Sequence, residues 1–332
     1  MPSTPEVKLS IVVAMYNIEG YIRYCLESCL NQQAVQRGDY EVIAVNDGST
    51  DGSLGVAEEI AAGAHNVRIV SQDNAGLSAA RNTGMAQARG EYIWFVDGDD
   101  AIAPNAVATI LAYIAKDGAD AYICNFSTFE TADIIETSNF RTFDNLSGAE
   151  IHEKYLHILP LMAWLTIYKT DRLRAHDLQF LPGIIHEDFE FSVRAHHLME
   201  TISFIKESLY RYRVARKDSI MDVVRKDNTK SLTSTIATLD SFETFFAGED
   251  TRFVRKLLGI CASSFYTKWY DKSAAVNGET TRLFCENKKR LQKLMWHSGQ
   301  WKKRIFCVLE TILPRPVLCD ICSMVRERFK LM

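Results

Sequence analysis

A Rossmann-like α/β domain with a mostly parallel sheet flanked by helices, carrying a helical C-terminal extension, is the fold this 332-residue chain predicts. Three observations carry the prediction. Short apolar runs alternate with helix-period segments in β-α-β-α order, which demands parallel strands joined by crossover helices. Polar residues, Asn17, Asp47 and Asp97 among them, stand at the carboxyl ends of those runs, where ligands bind in such sheets. The composition, 47% apolar and 24% charged with few Gly or Pro, is that of a globular chain.

The elements follow in order. LSIVVAMYN (9–17) is a strand, YIRYCLESCL (21–30) a helix, EVIAVND (41–47) a strand and LGVAEEIAAG (54–63) a helix. VRIVSQ (67–72) is the third strand, and LSAARNTGMAQARG (77–90) a helix that Gly90 is placed to end. EYIWFVD (91–97) is the fourth strand, and Pro104 opens a helix over 105–116. AYICNFSTF extends the sheet, a polar loop runs from Glu130 to Ser147, and GIIHEDFEFSVRAHHL reads as a loop entering a helix. From about 225 onward the pattern is helical. The boundary is expected near 215–230, giving an α/β domain over 1–220 and a helical region over 221–332.

MPSTPEVK has no basic segment followed by an apolar core, so no secretory signal is expected, and no apolar stretch reaches the 18 residues of a spanning helix. The eight cysteines then read as reduced core residues; Cys25 and Cys29 share a helical face, and Cys319–Cys322 lacks the second pair that zinc requires. Net charge is −4, but Lys288–Met332 carries 11 Lys or Arg against three acids, a balance of +8 that leaves −12 for the rest. A basic, amphipathic tail broken by Pro314 and Pro316 points to an anionic membrane surface, with Trp301, Phe306, Leu309 and Ile312 as anchors. Packing of that tail onto the α/β domain is the competing expectation. No nucleic-acid partner is expected.

WFVDGDD poses the chemical question. Two carboxylates at ~4 Å repel by roughly 4 kcal/mol at an effective dielectric of ~20, so Asp97, Asp99 and Asp100 need either open water or a divalent cation. The first strand is followed by MYNIEG rather than GxGxxG, and no GxxxxGK[ST] occurs, so the standard backbone phosphate cradles are absent.

SIVVAMYN, VNDGSTDGS, NAGLSAARNTG, GEYIWFVDGDD and HEDFEF occur in that order, and together they resemble the family 2 nucleotide-sugar glycosyltransferases, inverting enzymes of the GT-A fold. The resemblance covers about residues 8–220. It implies a nucleotide-diphosphate sugar donor, with UDP the expected nucleotide, and a glycan or lipid-linked acceptor at the cytoplasmic membrane face. Ala14 and Tyr16 would flank the base, and Asp47 would accept from a uracil N–H, or else only stabilise its turn. Arg81, beside Asn82, would offset the diphosphate charge. Asp97 and Asp99 would hold Mg²⁺ or Mn²⁺, with Asp100 supporting the loop. Asp188 would be the general base with Glu187 in support, apolar packing from Phe191 raising its pKa, and Glu190 the third acid of that motif. His186 would orient the acceptor, and Trp164 is either a sugar platform or a core residue. In YRYRVARKDSIM, Arg213 and Ser219 would close over the diphosphate, with Arg211, Arg216 and Lys217 nearby.

Two rivals stay open on the sequence. A haloacid-dehalogenase-like phosphatase also carries hhhhDxD, and a catalytically inactive sugar-nucleotide binder would retain the same motifs.

Overall fold

The computed structural model describes residues 7–36, 38–130, 134–138, 143–155, 161–214, 228–270, 277–313 and 315–319. The chain divides into two compact units: residues 1–183 with 187–216, and residues 184–186 with 217–332.

The first unit is built on one sheet of nine strands in the order β3-β2-β1-β4-β8-β6-β9-β5, with β7 paired to β6. Strands β1 (Leu9–Met15), β2 (Tyr40–Asp47), β3 (Val67–Gln72) and β4 (Tyr92–Asp97) are mutually parallel. Every residue of β1 and β2 is buried, as expected of strands covered on both faces. Helices α1 (Glu19–Leu30), α2 (Ser53–Ala62) and α3 (Leu77–Gln87) make the crossovers. Winding runs outward from β1 to β3 and then returns to place β4 on the other side of β1. That reversal opens a crevice between the carboxyl ends of β1 and β4. Register sets Ala14 beside Asp97 across it, and Met15 beside Asn46 on the other flank.

Beyond β4 the sheet turns mixed. After β5 (Ala101–Ile102) and α4 (Ala106–Asp117) come β6 (Ala121–Phe129), β7 (Ile134–Thr137), α5 (Gly148–Tyr155), β8 (Thr166–Lys169), α6 (Thr170–Ala175), α7 (Glu187–His197) and β9 (Ile202–Arg213). β8 runs antiparallel to both β4 and β6, whereas β9 is parallel to β6 and antiparallel to β5. The polar segment expected as loop from Glu130 to Ser147 therefore contains a strand, β7, whose pairing with β6 compensates for its weak apolar pattern.

α3 stops at Gln87, with Ala88 already extended, so Gly90 does not end that helix. Its role is close approach: a Cβ there would sit 2.5 Å from the Ser10 nitrogen, and the Gly90 N–H donates to Ser10 Oγ at 2.8 Å. Ser10 Oγ in turn donates to the buried Glu41, whose other oxygen takes Arg89 Nε and Nη2 at 3.0 and 2.7 Å. Burial alone would raise the Glu41 pKa, but these partners hold it low. Gly90→Ala should cost about 1–3 kcal/mol, since the obstacle is backbone, and should lower the thermal unfolding midpoint. An unchanged midpoint would show that β1 yields freely.

The second unit contains α8 (Asn228–Phe245), α9 (Arg252–Trp269), α10 (Gly278–His297) and α11 (Trp301–Ile312). α10 begins with a capping box, Asn277 and Thr280 bonding each other's backbone N–H groups. Trp269 and Phe284 stack at 4.5 Å inside it. Cys25, Cys29, Cys124, Cys261, Cys307 and Cys319 are buried free thiols; Cys285 is a free thiol but exposed, which corrects its reading as a core residue, and Cys322 lies outside the described residues. Among the described residues no helix is long and apolar enough to cross a membrane.

Candidate active site

Two turns are laced together beside the crevice. The Asn17 N–H donates to Ser49 Oγ, Thr50 N–H donates to Asn17 Oδ1, and Glu19 N–H donates to Asp51 Oδ2, at 2.8–3.2 Å. The backbone leaving β1 is fixed by these bonds, with Asn17 in the left-handed region at φ 49°. Tyr16 stands exposed at this edge, and Ala14 is buried just behind it.

Asp47 at the end of β2 is 2% exposed. Its Oδ1 accepts from Gln72 Nε2 at 2.7 Å and from the Ala75 N–H at 2.9 Å, and its Oδ2 accepts from the Gly76 N–H at 2.8 Å. Turn support is therefore real, and Oδ2 retains capacity for one further donor. The loop it pins leads into α3.

Arg81 lies on that helix. Gly84, one turn on, lets α3 sit against β1: a Cβ there would meet Val12 Cγ1 at 2.2 Å. The Arg81 guanidinium is buried over the Phe180 ring, 5.2 Å from its centroid. It donates from Nη2 to Asp97 Oδ1 and from Nη1 to Glu187 Oε1, both at 2.7 Å. Burial works against its charge, but Asp97, Glu187 and Asp188 hold it protonated above its ordinary range. One buried cation thus ties the end of β4 to the start of α7. The sequence suggested a role against the diphosphate; the structure instead gives both described hydrogen bonds of Arg81 to carboxylates of the protein.

The three aspartates at the end of β4 have separate surroundings. Asp97 is about a quarter exposed beside Arg81 (25%). Asp100 is buried, accepting from Tyr210 Oη and from the Arg213 N–H, each at 2.7 Å. Burial, then the charges of Asp99 and Asp97, hold its carboxyl well above the usual range. The Tyr210 hydroxyl also accepts from the Asp97 N–H at 3.2 Å. Asp99, between them, is only partly buried. Among the described residues no group of three or more His, Cys, Asp or Glu side chains is arranged to hold a metal. Asp97 and Asp99 are two carboxylates at one turn. That number suits Mg²⁺ or Mn²⁺ completed by substrate phosphates and water, and not a cation caged by protein alone.

Arg213 braces the same turn. Nε donates to the Asp99 carbonyl at 2.7 Å and Nη1 to the Glu130 carbonyl at 2.9 Å, while the guanidinium lies 4.4 Å over the Phe129 ring. Tyr21 and Tyr24 stand at 5.2 and 5.5 Å. Its cation faces aromatic rings beside the turn. Arg216, Lys217 and Ser219 lie outside the described residues.

The first turn of α7 presents the other carboxylates. Glu190 is fully buried in a two-bond pair with Arg194 at 2.6 and 2.7 Å, which removes it from contention as a base. Glu187 is held by Arg81. Asp188 is partly buried, and its carboxyl is pushed up to about 7, first by desolvation and then by Glu187, with Arg81 opposing. Phe191 is fully buried in a stack on Phe180 at 3.8 Å, with Phe95 edge-on to both. His186 is exposed with φ 63° and belongs to the second unit.

Trp164 needs correction as a sugar platform. It is 4% exposed, stacked with Tyr210 at 4.2 Å and edge-on to Phe126, while its carbonyl accepts from Trp94 Nε1 at 2.8 Å. Tyr212, stacked with it at 5.6 Å, is the exposed ring of that group. Tyr210 was missed from sequence. The alternation in YRYR (210–213) is the signal that places its tyrosines on one strand face.

A family model described as glycosyl transferase family 2 matches residues 10–158. EpsH of Bacillus subtilis, a putative glycosyltransferase, is 38% identical over 221 residues, 64% of this chain and 61% of that protein. The glycosyltransferase GlyG of Streptococcus pneumoniae is 31% identical over 222 residues, 64% of this chain and 72% of that protein. The chain thus spans about 61% of the length of EpsH. Among solved structures, S. aureus TarS in complex with UDP-GlcNAc aligns with a TM-score of 0.64 at 21% identity, covering 87% of this chain and 79% of that one. That likeness is one of fold.

Proposed function

The chain belongs to glycosyl transferase family 2, and from that premise we propose that it moves a sugar, with inversion, from a nucleotide-diphosphate donor to a hydroxyl of a glycan or lipid-linked acceptor. The observation that carries this reading is the convergence of Asp97 and Glu187 on the single buried guanidinium of Arg81, which joins the DxD turn to the helix bearing Asp188.

The donor nucleotide lies in the crevice between β1 and β4, its base against Tyr16 and the backbone near Ala14, with Asp47 Oδ2 as the remaining acceptor for a ring N–H. Uridine is the proposed base, and the UDP-sugar in the TarS complex supports it. Asp97 and Asp99 would hold a divalent cation together with the donor phosphates, and when bound that cation supplies Lewis-acid stabilisation of the departing diphosphate. Arg213 contributes by holding the turn that carries Asp99.

Asp188 removes the proton from the acceptor hydroxyl. The oxygen attacks the anomeric carbon, the bond from that carbon to the diphosphate breaks, and the electron pair leaves with the nucleotide. A base with a pKa near 7 combines adequate strength with adequate population at neutral pH. The phosphatase alternative is not favoured, since it requires its nucleophile on the first strand and Asp97 ends the fourth. We place the enzyme on the inner face of the cell membrane, attached peripherally, in polysaccharide synthesis.

Asp99→Asn tests the donor site. The parent should show a thermal shift with UDP plus Mn²⁺, since a ligand at 100 times its Kd adds about 2.7 kcal/mol. The variant should keep its unliganded midpoint and lose the Mn²⁺-dependent part of the shift. Equal Mn²⁺-dependent shifts in the two proteins would defeat the metal assignment.

A further inference from the structure

The sequence WKKRIFCVLETI forms α11, and its two faces are unusual for a helix on a folded domain. One face packs inward. Phe306 lies edge-on to Tyr266 and Tyr270 at 5.5 and 5.9 Å, and Cys307 and Glu310 are buried. Glu310, the only acid of the helix, is paired with Lys288 at 2.8 Å. A helix docked this way ordinarily turns polar side chains outward. Here Ile305, Val308 and Ile312, spaced three and four apart, are 49%, 50% and 68% exposed. Phe306, expected as an anchor, is partly buried and faces these tyrosines, away from the exposed stripe.

Basic residues border this stripe. At 100° per residue, Lys302 falls on one side of it and Arg304 on the other. Arg304 lies over the exposed Trp296 ring at 5.6 Å and donates to the Trp296 carbonyl at 2.9 Å. Trp296, Lys293 and Val308 line one groove of about 310 Å³ between α10 and α11. The exposed surface of α11, with Trp296 and Lys293 from the end of α10 beside it, therefore combines apolar side chains, an aromatic ring and positive charge, with no acid among the described outward residues of α11.

We propose that this face, Trp296, Ile305, Val308 and Ile312 with Lys293, Lys302 and Arg304, is the surface by which the protein lies on an anionic bilayer. Apolar side chains enter the boundary between headgroups and acyl chains, and the flanking cations meet acidic headgroups. A second copy of the chain fits less well, because a two-fold contact through the same patch would bring like charges together. The inference gives the membrane placement proposed above a specific surface and rests on that reading only for its purpose.

The test is flotation of the full chain with vesicles of phosphatidylcholine alone and of an equimolar mixture with phosphatidylglycerol. The parent should partition at least about tenfold more strongly onto the anionic vesicles. The triple variant Ile305→Ser, Val308→Ser, Ile312→Ser should lose at least about tenfold of that binding, with an unchanged thermal midpoint because all three positions are exposed. Lys293→Glu with Lys302→Glu should abolish the preference for anionic lipid. Equal partition of parent and triple variant overturns the proposal. So does a triple variant that turns a dimer into a monomer in sedimentation without altering vesicle binding, which would make this a subunit interface. UDP-sugar hydrolysis is measured alongside: its absence from a parent that binds vesicles would count against the transferase reading and leave this surface standing.

Discussion

Asp188→Asn should cut sugar transfer by roughly 10²–10⁴-fold, the usual contribution of a positioned base, while leaving UDP binding with Mn²⁺ at its parental value. The amide keeps the shape of the side chain and cannot take a proton. Two pH dependences accompany this. As the proposed base, Asp188 would act as the carboxylate, so parental transfer should rise with pH through about 7 and level off above it. Stability moves the other way. A folded-state pKa above the ordinary 3.8 means that the native protein retains a proton the unfolded chain has already lost. Stability therefore falls as pH rises from about 4 to about 7. Asp188→Asn removes that loss, so at pH 8 the variant should unfold at a higher temperature than the parent. Near-parental transfer in the variant would place the base elsewhere, with Glu187 the next candidate.

Arg81→Gln should be more damaging to the molecule as a whole. It leaves Asp97 and Glu187 facing each other beside Asp188 with their common cation gone. Removing one partner of a buried ion pair costs about 3–5 kcal/mol, chiefly through the charge left unpaired. Denaturant unfolding should show a loss of that order, and transfer should fall to background. Adding Glu187→Gln should restore part of the stability but none of the activity, because the surplus charge is then removed while the link between the DxD turn and α7 stays broken. Arg81→Lys should be intermediate, since an ammonium reaches one carboxylate where the guanidinium fork reaches two. Arg81 also restrains the rise of the Asp188 pKa, so residual activity in the lysine variant should have its pH profile displaced to the alkaline side. Additive effects of the Arg81 and Glu187 changes would show that the bridge does not couple them.

The parallel half of the sheet was legible because strands buried on both faces leave an unbroken apolar signal; β3 was read with its observed ends, Val67–Gln72. Gathering of site residues at strand ends followed from that topology. Tertiary pairings were not legible. β7, the four residues IIET inside a longer polar stretch, is too short to read as a strand locally and is defined by its antiparallel pairing with β6. Trp164 shows a related limit, since local pattern does not separate an apolar ring that faces a ligand from one stacked under tyrosines 46 and 48 residues later. The resemblance placed Arg81 at the site, but its carboxylate partners lie 16 and 106 positions away, and no local pattern revealed that bridge. Gly90 was legible as special but misread, because close packing and helix termination select the same residue.

The brace on Asp100 has a consequence for the order in which this protein can be made. Its two partners, Tyr210 and Arg213, follow it by 110 and 113 residues. At about 5–20 residues per second a ribosome needs roughly 5–22 s to supply them. Until β9 is docked, the carboxylate of Asp100 is an ordinary solvated acid on an unsupported turn. The parallel strands β1 to β4 can therefore assemble on the nascent chain well before the site they border exists. On the proposed reading, a donor present during synthesis would meet the ends of β1 and β2 beside an unbraced turn, and its full hold on the protein would wait for β9.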